Sequence, residues 1–372
     1  GPAPRRGRDR TGPRRVVEVV MVQVKLIGAG GYGGIGLVEL LRRHPEARLV
    51  TLVDVDGVGK RLSDLWPYLD GYCDELIVAP DSDAARGSEA DVTFLATPDG
   101  VGQGAAPAEI AAGRRVIDYS GDFRFDSAEL YAEYARRIGR DPVHRAPDLL
   151  AGSAYGLTEL HRAAISRARV VGNPGCFAMA CIVGFAPAVR HRLVELEGLV
   201  CDCKTGVSGA GKKPSSAHHY PERYENTSAY RLTGHQHVME IERELGELAG
   251  ASVRVTFTPQ VVPMVRGILA SLYGRLPPGM THAQVLAAYR DEYAREPFVK
   301  VQDFTSPAGT SDVRGSNRVL VTVACDERTG TFRVISLLDN LVKGQAGSAL
   351  QNMNAMFGLP ETLGLDGAPQ HP

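Results

Sequence analysis

Cys176 is set apart from the chain's other cysteines by what precedes and follows it. It ends the run Val170-Val171-Gly-Asn-Pro-Gly-Cys and opens an apolar stretch from Phe177 to Phe185. Pro174 cannot continue a strand ladder and Gly175 permits a sharp reversal, so the pattern predicts a strand, a tight turn and a helix opening on Cys176. A thiol at a helix N-terminus faces unpaired N–H groups and the positive end of the helix dipole. Both stabilise thiolate, so a depressed pKa is expected there. The same N–H groups suit an oxyanion developing on an attacked carbonyl. Cys73, Cys181, Cys201, Cys203 and Cys325 form no CxxC pair or zinc-finger spacing and read as small buried hydrophobes.

A nucleophilic thiol needs a proton partner. His235-Gln-His237 follows Thr233-Gly234 and opens a helical run, Val238 to Leu248. Acid/base catalysis is the favoured reading, against a structural histidine or a metal pair. Two residues apart on a helix the rings splay by about 200°, so a metal reading requires an extended segment, and no metal is expected. Between thiol and histidines lies Ser208-Gly-Ala-Gly-Lys-Lys-Pro-Ser-Ser216. Successive N–H groups in such a loop form an anion nest, and Lys212 and Lys213 add charge suited to a phosphate; the alternative is a solvated loop. Arg124, in Asp118-Tyr-Ser-Gly-Asp-Phe-Arg124, reads equally as an anion ligand and as a surface arginine.

These side chains need a scaffold, and the first half of the chain describes one. Val22 to Ile27 has the apolar pattern of a buried parallel strand. Gly28-Ala-Gly-Gly-Tyr-Gly-Gly34 follows at once, then a helical apolar face from Ile35 to Leu41. Gly28, Gly30 and Gly33 fit G-x-G-x-x-G: a tight turn, close backbone approach to a pyrophosphate, and close helix–strand packing. A second strand, Arg48 to Val53, ends in Asp54-Val-Asp56, where an acidic residue suits adenosine ribose hydroxyls. Further strands, Asp91 to Ala96 and Arg115 to Asp118, alternate with helical spacers, which implies a doubly wound parallel sheet. Thr97 and Pro98 follow one of them, at the edge where such sheets bind ligands.

The 372 residues suffice for two domains. A net charge of −1 offers no global basic field, so nucleic acid is not an expected partner. No apolar run approaches a membrane span, and the cysteine pattern suits a cytoplasmic protein with reduced thiols. Residues 1–20 hold six arginines, three prolines and no apolar period, and are expected to be a disordered extension.

The chain resembles the N-acetyl-γ-glutamyl-phosphate reductase family of the aspartate-semialdehyde dehydrogenase superfamily. The resemblance runs from Met21 nearly to the end. It rests on the Gly28–Gly34 run, Ser120-Gly-Asp-Phe-Arg, Tyr155-Gly-Leu-Thr-Glu-Leu, Gly172-Asn-Pro-Gly-Cys, Ser208-Gly-Ala-Gly-Lys, Gly234-His-Gln-His-Val-Met-Glu-Ile-Glu, Arg266-Gly-Ile-Leu and Asp339-Asn-Leu-Val-Lys-Gly-Gln-Ala-Gly, with Gln351-Asn-Met-Asn and Gly358-Leu-Pro-Glu-Thr beyond. It implies a Rossmann domain and a mixed α/β catalytic domain of the glyceraldehyde-3-phosphate-dehydrogenase type. The expected boundaries are 21–174 for the first, completed by a C-terminal helix at 343–372, and 175–342 for the second. It also implies Cys176 as nucleophile, the His235/His237 segment as acid/base, Asn340 near a nicotinamide, and NADP(H) as cofactor.

The expected cofactor residues are Gly28, Gly30, Gly31, Tyr32, Gly33, Gly34, Asp54, Thr97, Pro98 and Asn340. Those expected at the substrate, a small acyl phosphate, are Arg124, Asn173, Ser208, Gly209, Gly211, Lys212, His218 and Arg266. Two departures stand out. Relatives carry a Ser-Arg pair where this chain has Asp54-Val55, and a carboxylate there repels a 2′-phosphate and favours NAD(H), unless Lys60 or Arg61 compensates. Histidine is usual where this chain has Asp99. A lysine-pathway relative acts on an acyl phosphate tethered to a small acidic carrier protein and is similar at His218-His-Tyr-Pro-Glu-Arg223, so a carrier-bound substrate is one alternative, with aspartate-semialdehyde dehydrogenase and a catalytically silent, NAD(P)-sensing Rossmann protein as the others. A homo-oligomer, dimer or tetramer, is expected.

Overall fold

Fourteen strands, in two sheets, carry the site in the computed structural model, which describes residues 21–305 and 308–370. The expectation for residues 1–20 lies outside the described residues. In the first half the strands are β1 (Val22–Ile27), β2 (Ala47–Val53), β3 (Ile77–Val78), β4 (Val92–Leu95), β5 (Arg115–Asp118), β6 (Ser153–Tyr155) and β7 (Val170–Gly172). They pair in the order β3-β2-β1-β4-β5-β7-β6, every pair parallel. A parallel sheet must be covered on both faces, and two apolar clusters do this. One gathers Leu26, Leu37, Val38, Leu350 and Met353; the other gathers Leu95, Ala106, Ile110, Phe123 and Tyr134.

The second sheet contains β8 (Leu199–Thr205), β9 (Ser228–Ala229), β10 (Val255–Val261), β11 (Ile268–Arg275), β12 (Val299–Asp303), β13 (Val319–Val323) and β14 (Thr331–Leu338). Its order is β12-β13-β14-β11-β8-β10-β9, and its pairing is mixed. Against it lies the helix Cys176–Arg190, which buries every residue from Phe177 to Val189. A helix apolar all round has to be central, and this one is sandwiched by the sheet and the helix His237–Ala249. Pro187 inside it cannot donate to the Val183 carbonyl. The Tyr293 hydroxyl donates to that carbonyl instead at 2.6 Å, and Tyr289 donates to the neighbouring Gly184 carbonyl at 2.6 Å.

The C-terminal segment returns to the first sheet, but as a shorter helix than 343–372. Val342–Ala346 winds as a π-helical turn and the α-helix spans Gly347–Met356, packed on the helices Thr158–Arg167 and Tyr32–Leu41. Gly358, at φ +69°, and Pro360 stop it, and the chain from there to residue 370 is irregular. No helix among the described residues is long and apolar enough to cross a membrane.

Candidate active site

The turn before Cys176 is built from glycines that admit no side chain. A Cβ on Gly172 would stand 2.2 Å from the Phe123 carbonyl oxygen, and one on Gly175 would stand 2.2 Å from His237 Nε2. Gly175 caps the helix, which opens on Cys176 as the sequence pattern predicts. On the far side, a Cβ on Gly344 would be 2.8 Å from that of Cys176, so the π-turn presses against the thiol-bearing residue.

Asn173 holds this turn to the C-terminal segment. Its Nδ2 donates to the Gln345 carbonyl at 3.0 Å, and its Oδ1 accepts from Ser348 Oγ at 3.0 Å and Asn352 Nδ2 at 3.1 Å. The side chain is thereby committed to protein partners. Arg124 is committed too: it is buried, with Nη1 on Glu240 at 2.8 Å, Nε on the Asn173 carbonyl at 2.8 Å and Nη2 on the Tyr119 carbonyl at 2.7 Å. It is not a surface arginine: it lines the same cleft as Cys176, with its guanidinium already bound to these protein acceptors. Glu240, which spacing did not single out as functional, collects three donors. Besides Arg124 it accepts from the Tyr155 hydroxyl at 2.9 Å and from the Gly175 backbone N–H at 3.0 Å.

His235 precedes the helix and His237 begins it, so the 200° splay does not apply and the ring centroids lie 4.8 Å apart. Both rings flank Phe177, at 6.0 and 6.2 Å. His235 Nδ1 accepts from the His237 backbone N–H at 3.2 Å, so its ring proton sits on Nε2. His237 Nδ1 is buried without a partner. Burial holds both imidazoles neutral, pulling His235 down to about 2 and His237 well below the usual value. No group of three or more His, Cys, Asp or Glu among the described residues is placed to hold a metal ion.

The Cys176 thiol does not have the depressed pKa that its helix position suggests. Burial pushes it up to about 11, outweighing the lowering by the Phe177 N–H and by Arg124; Glu240 pushes in the same direction as burial. The helix-terminus argument has the right sign but addresses only one of the opposing effects.

Cys176 opens into a cleft of 760 Å³ that also touches His235, His237, Asn340, Ser208, Gly209, Gly211, Lys212 and His218. Asn340 Nδ2 donates to Ser208 Oγ at 3.0 Å and its Oδ1 accepts from the Gly267 N–H at 2.7 Å. His218 pairs with Ser215 at 2.8 Å on the cleft wall. Arg266 does not reach this cleft; its Nη2 meets buried Asp339 at 3.2 Å. Cations that spacing did not flag, Arg223 and Arg231, line it instead, with Tyr230.

An adjoining groove of 780 Å³ runs along Gly28, Gly30, Gly31, Asp54, Thr97 and Pro98. A dinucleotide fits these residues. Gly28 has φ +91°, and a Cβ there would stand 2.4 Å from the Ala96 carbonyl oxygen, so the turn is kept tight and bare. Gly31 caps the helix Tyr32–Leu41 without a side-chain partner for the first N–H groups, which leaves them for a phosphate. Tyr32 and Gly33 face the catalytic cleft instead, and Gly34 lines neither cavity. It is Gly34 that lets helix and strand pack, since its Cβ would be 2.3 Å from the Gly28 carbonyl oxygen. Asp54 Oδ2 accepts from the Gly30 N–H at 2.7 Å. Neither Lys60 nor Arg61 compensates that carboxylate: both are absent from the groove, and Arg61 is paired with Asp64 and Asp74.

Residues 23–168 match the family model of the semialdehyde dehydrogenase NAD binding domain, and 176–340 that of the semialdehyde dehydrogenase dimerisation domain. An N-acetyl-gamma-glutamyl-phosphate reductase of Acidithiobacillus ferrooxidans is 42% identical over 345 residues, 93% of this chain and 98% of the relative. One of Symbiobacterium thermophilum is 43% identical over 353 residues, 94% of this chain and 99% of the relative. The chain belongs to the N-acetyl-gamma-glutamyl-phosphate reductase family. Its fold is that of aspartate semialdehyde dehydrogenase II from Vibrio cholerae, with a TM-score of 0.66 at 17% identity over 91% of this chain and 98% of the other. Membership in the reductase family makes the protein an oxidoreductase, and the match to the NAD binding domain gives it a nicotinamide cofactor. Glu240 was detectable beforehand: it stands three residues after His237, so the two side chains share a face of the helix and a carboxylate there lies beside the candidate acid/base.

Proposed function

We propose that this protein reduces N-acetyl-γ-glutamyl phosphate to the semialdehyde with release of phosphate, as a step of arginine biosynthesis. The observation that carries the reading is the thiol of Cys176 at a helix start, in one cleft with two neutral histidines and beside a dinucleotide groove. The Cys176 sulfur attacks the acyl carbon, the C–S bond forms, the C–O bond to phosphate breaks, and a thioester remains. The helix N–H groups favour the developing oxyanion. His235 carries its proton on Nε2 and acts as the donor at the cleft. His237, with an unpartnered Nδ1, takes the thiol proton and returns it when the thiohemiacetal collapses to aldehyde and free Cys176. When bound, the reduced nicotinamide supplies the hydride. Glu240 keeps Gly175, and with it the thiol, in register through the Gly175 N–H.

We take NADP(H) as the working cofactor on family grounds, with Asp54 weakening that preference. The substrate is read as free, since the relatives at about 40% identity carry the name of the free-substrate enzyme. A homodimer through the second sheet's domain, the division at 174/175, and a reducing cytoplasmic setting for the six free thiols belong to the same reading. The test is phosphate-dependent reduction of NADP and NAD by N-acetylglutamate semialdehyde. Wild type should turn over, and Cys176→Ser should lose several orders of magnitude in kcat while still binding cofactor. Near-wild-type turnover by that variant refutes the thioester route.

A further inference from the structure

The glycine-rich loop after β8 divides its attention between the two cavities. Its beginning, Ser208, is tied to Asn340 inside the catalytic cleft. Its end turns away through Gly211, at φ +78°, and Lys212 lines both the cleft and the dinucleotide groove. The Lys212 ammonium stands over the fingerprint: a Cβ on Gly30 would be 3.3 Å from Lys212 Nζ and 3.2 Å from Asp54 Oδ2. It also rests 5.7 Å above the indole of Trp66, which is 6.3 Å from the ring of Tyr32, the first residue of the dinucleotide helix. Among the described residues this ammonium has no carboxylate within ion-pair distance.

We propose that Lys212 is a cofactor ligand, a cation that the catalytic domain extends across the cleft onto a phosphoryl group of the dinucleotide, rather than a ligand of the substrate's phosphate. The proposal deepens the reductase reading and rests on it for the cofactor's identity. The helix Tyr32–Leu41 presents its free N–H groups from one side of Gly31, and Lys212 closes on the same place from the other. A doubly charged diphosphate there meets positive potential from both domains. The Asp54 carboxylate, which alone repels such a ligand, then has a cation beside it. The diphosphate is the group the position over Gly30 favours; a 2′-phosphate near Asp54 shares the chemistry.

Trp66 is the chain's one tryptophan, so its fluorescence reports binding without turnover. Cofactor Kd is measured by this signal for wild type, Lys212→Met and Lys212→Arg, with NADPH and with NADH. The KM for inorganic phosphate is measured in the reverse reaction. Lys212→Met should weaken binding roughly tenfold, the loss of one charge-assisted contact in an open cleft, and Lys212→Arg should recover most of it. Equal losses for both cofactors assign the contact to the diphosphate, and a loss confined to NADPH assigns it to the 2′-phosphate. In both cases the phosphate KM stays within twofold. Unchanged cofactor Kd in Lys212→Met overturns the proposal, whether or not the phosphate KM rises. Wild type that binds neither nucleotide refutes the reductase reading itself, which separates the two failures.

Discussion

Replacing Glu240 by glutamine tests how the site is held together. The carboxylate accepts Arg124 Nη1 on Oε1, and the Tyr155 hydroxyl and Gly175 N–H on Oε2, all within 3.0 Å. An amide has one acceptor oxygen and an NH₂. If the oxygen stays with Tyr155 and Gly175, the NH₂ faces a guanidinium and Arg124 is left as a buried cation without its anion. If it turns, two other donors are orphaned. Breaking a buried ion pair by removing one partner costs about 3–5 kcal/mol. At roughly 2–4 °C per kcal/mol for a domain of this size, Tm should fall by about 10 °C. A second effect has the opposite sign for reactivity. The Glu240 charge raises the Cys176 thiol while Arg124 lowers it, so Glu240→Gln should bring the thiol down from about 11. Thermal melts, kcat, and the pH dependence of iodoacetamide labelling are read together. The expected variant is less stable, slower in turnover, and labelled with a midpoint at lower pH. A Tm within 2 °C of wild type, or a labelling midpoint that is unmoved or higher, would refute the reasoning.

Asp54→Ser should shift kcat/KM toward NADP by about five- to thirtyfold, about 1–2 kcal/mol, because it removes the one carboxylate hydrogen-bonded to Gly30; an unchanged ratio means that Asp54 does not face the adenosine ribose. In wild type, Cys176 labelling should rise close to tenfold per pH unit from 7 to 9, whereas a plateau by pH 7.5 would mean a thiolate already present. Acid stability follows His235. Its folded pKa is about 2 against 6.5 unfolded, so only the unfolded chain takes up the proton, and stability is complete above pH 6.5 and falls on acidification toward pH 2. The slope is about 1.4 kcal/mol per unit for such a group, and His235→Gln should flatten it in denaturant titrations at pH 7.5 and 5.5; an identical slope in the variant would exclude His235 as its source.

The scaffold was legible because parallel strands buried on both faces leave uninterrupted apolar runs. Val22–Ile27 and Arg115–Asp118 fall where the pattern has them, and the turn after β1 is a glycine cradle. Long-range partners left no such trace. Gly33 was expected to pack helix on strand, yet a Cβ there meets Gln345 Nε2 at 2.8 Å, a residue of the C-terminal segment that no local motif announces. Gly34 does the packing. Arg124 could be read in two ways from its neighbours, and the surface reading fails because the side chain is buried against Glu240, 116 positions later. Arg266 likewise spends its charge on Asp339, across the ends of the neighbouring strands β11 and β14.

The protonation state of the site joins these long-range contacts to the chemistry. A thiol held at about 11 is thiolate in only about one molecule in several thousand at pH 7.5. Cys176 therefore rests as a thiol, and on the proposed thioester route its reactivity arises when a base removes the proton during attack. Both histidines are buried and neutral, so His237 keeps an unpartnered Nδ1 that can accept while His235 keeps its Nε2 proton. The burial that disfavours a standing thiolate also disfavours a standing imidazolium, so neither charge is stable alone in the cleft. The pair of charges forms together or not at all, and an acyl phosphate that fills the cleft and receives the sulfur's electrons removes the need for either to persist. On this argument the glycines at 175 and 344 matter to catalysis as much as the charged groups do. They let His237 pack against the turn before Cys176 and the π-turn against Cys176 itself, and that closeness contributes to the burial of the thiol.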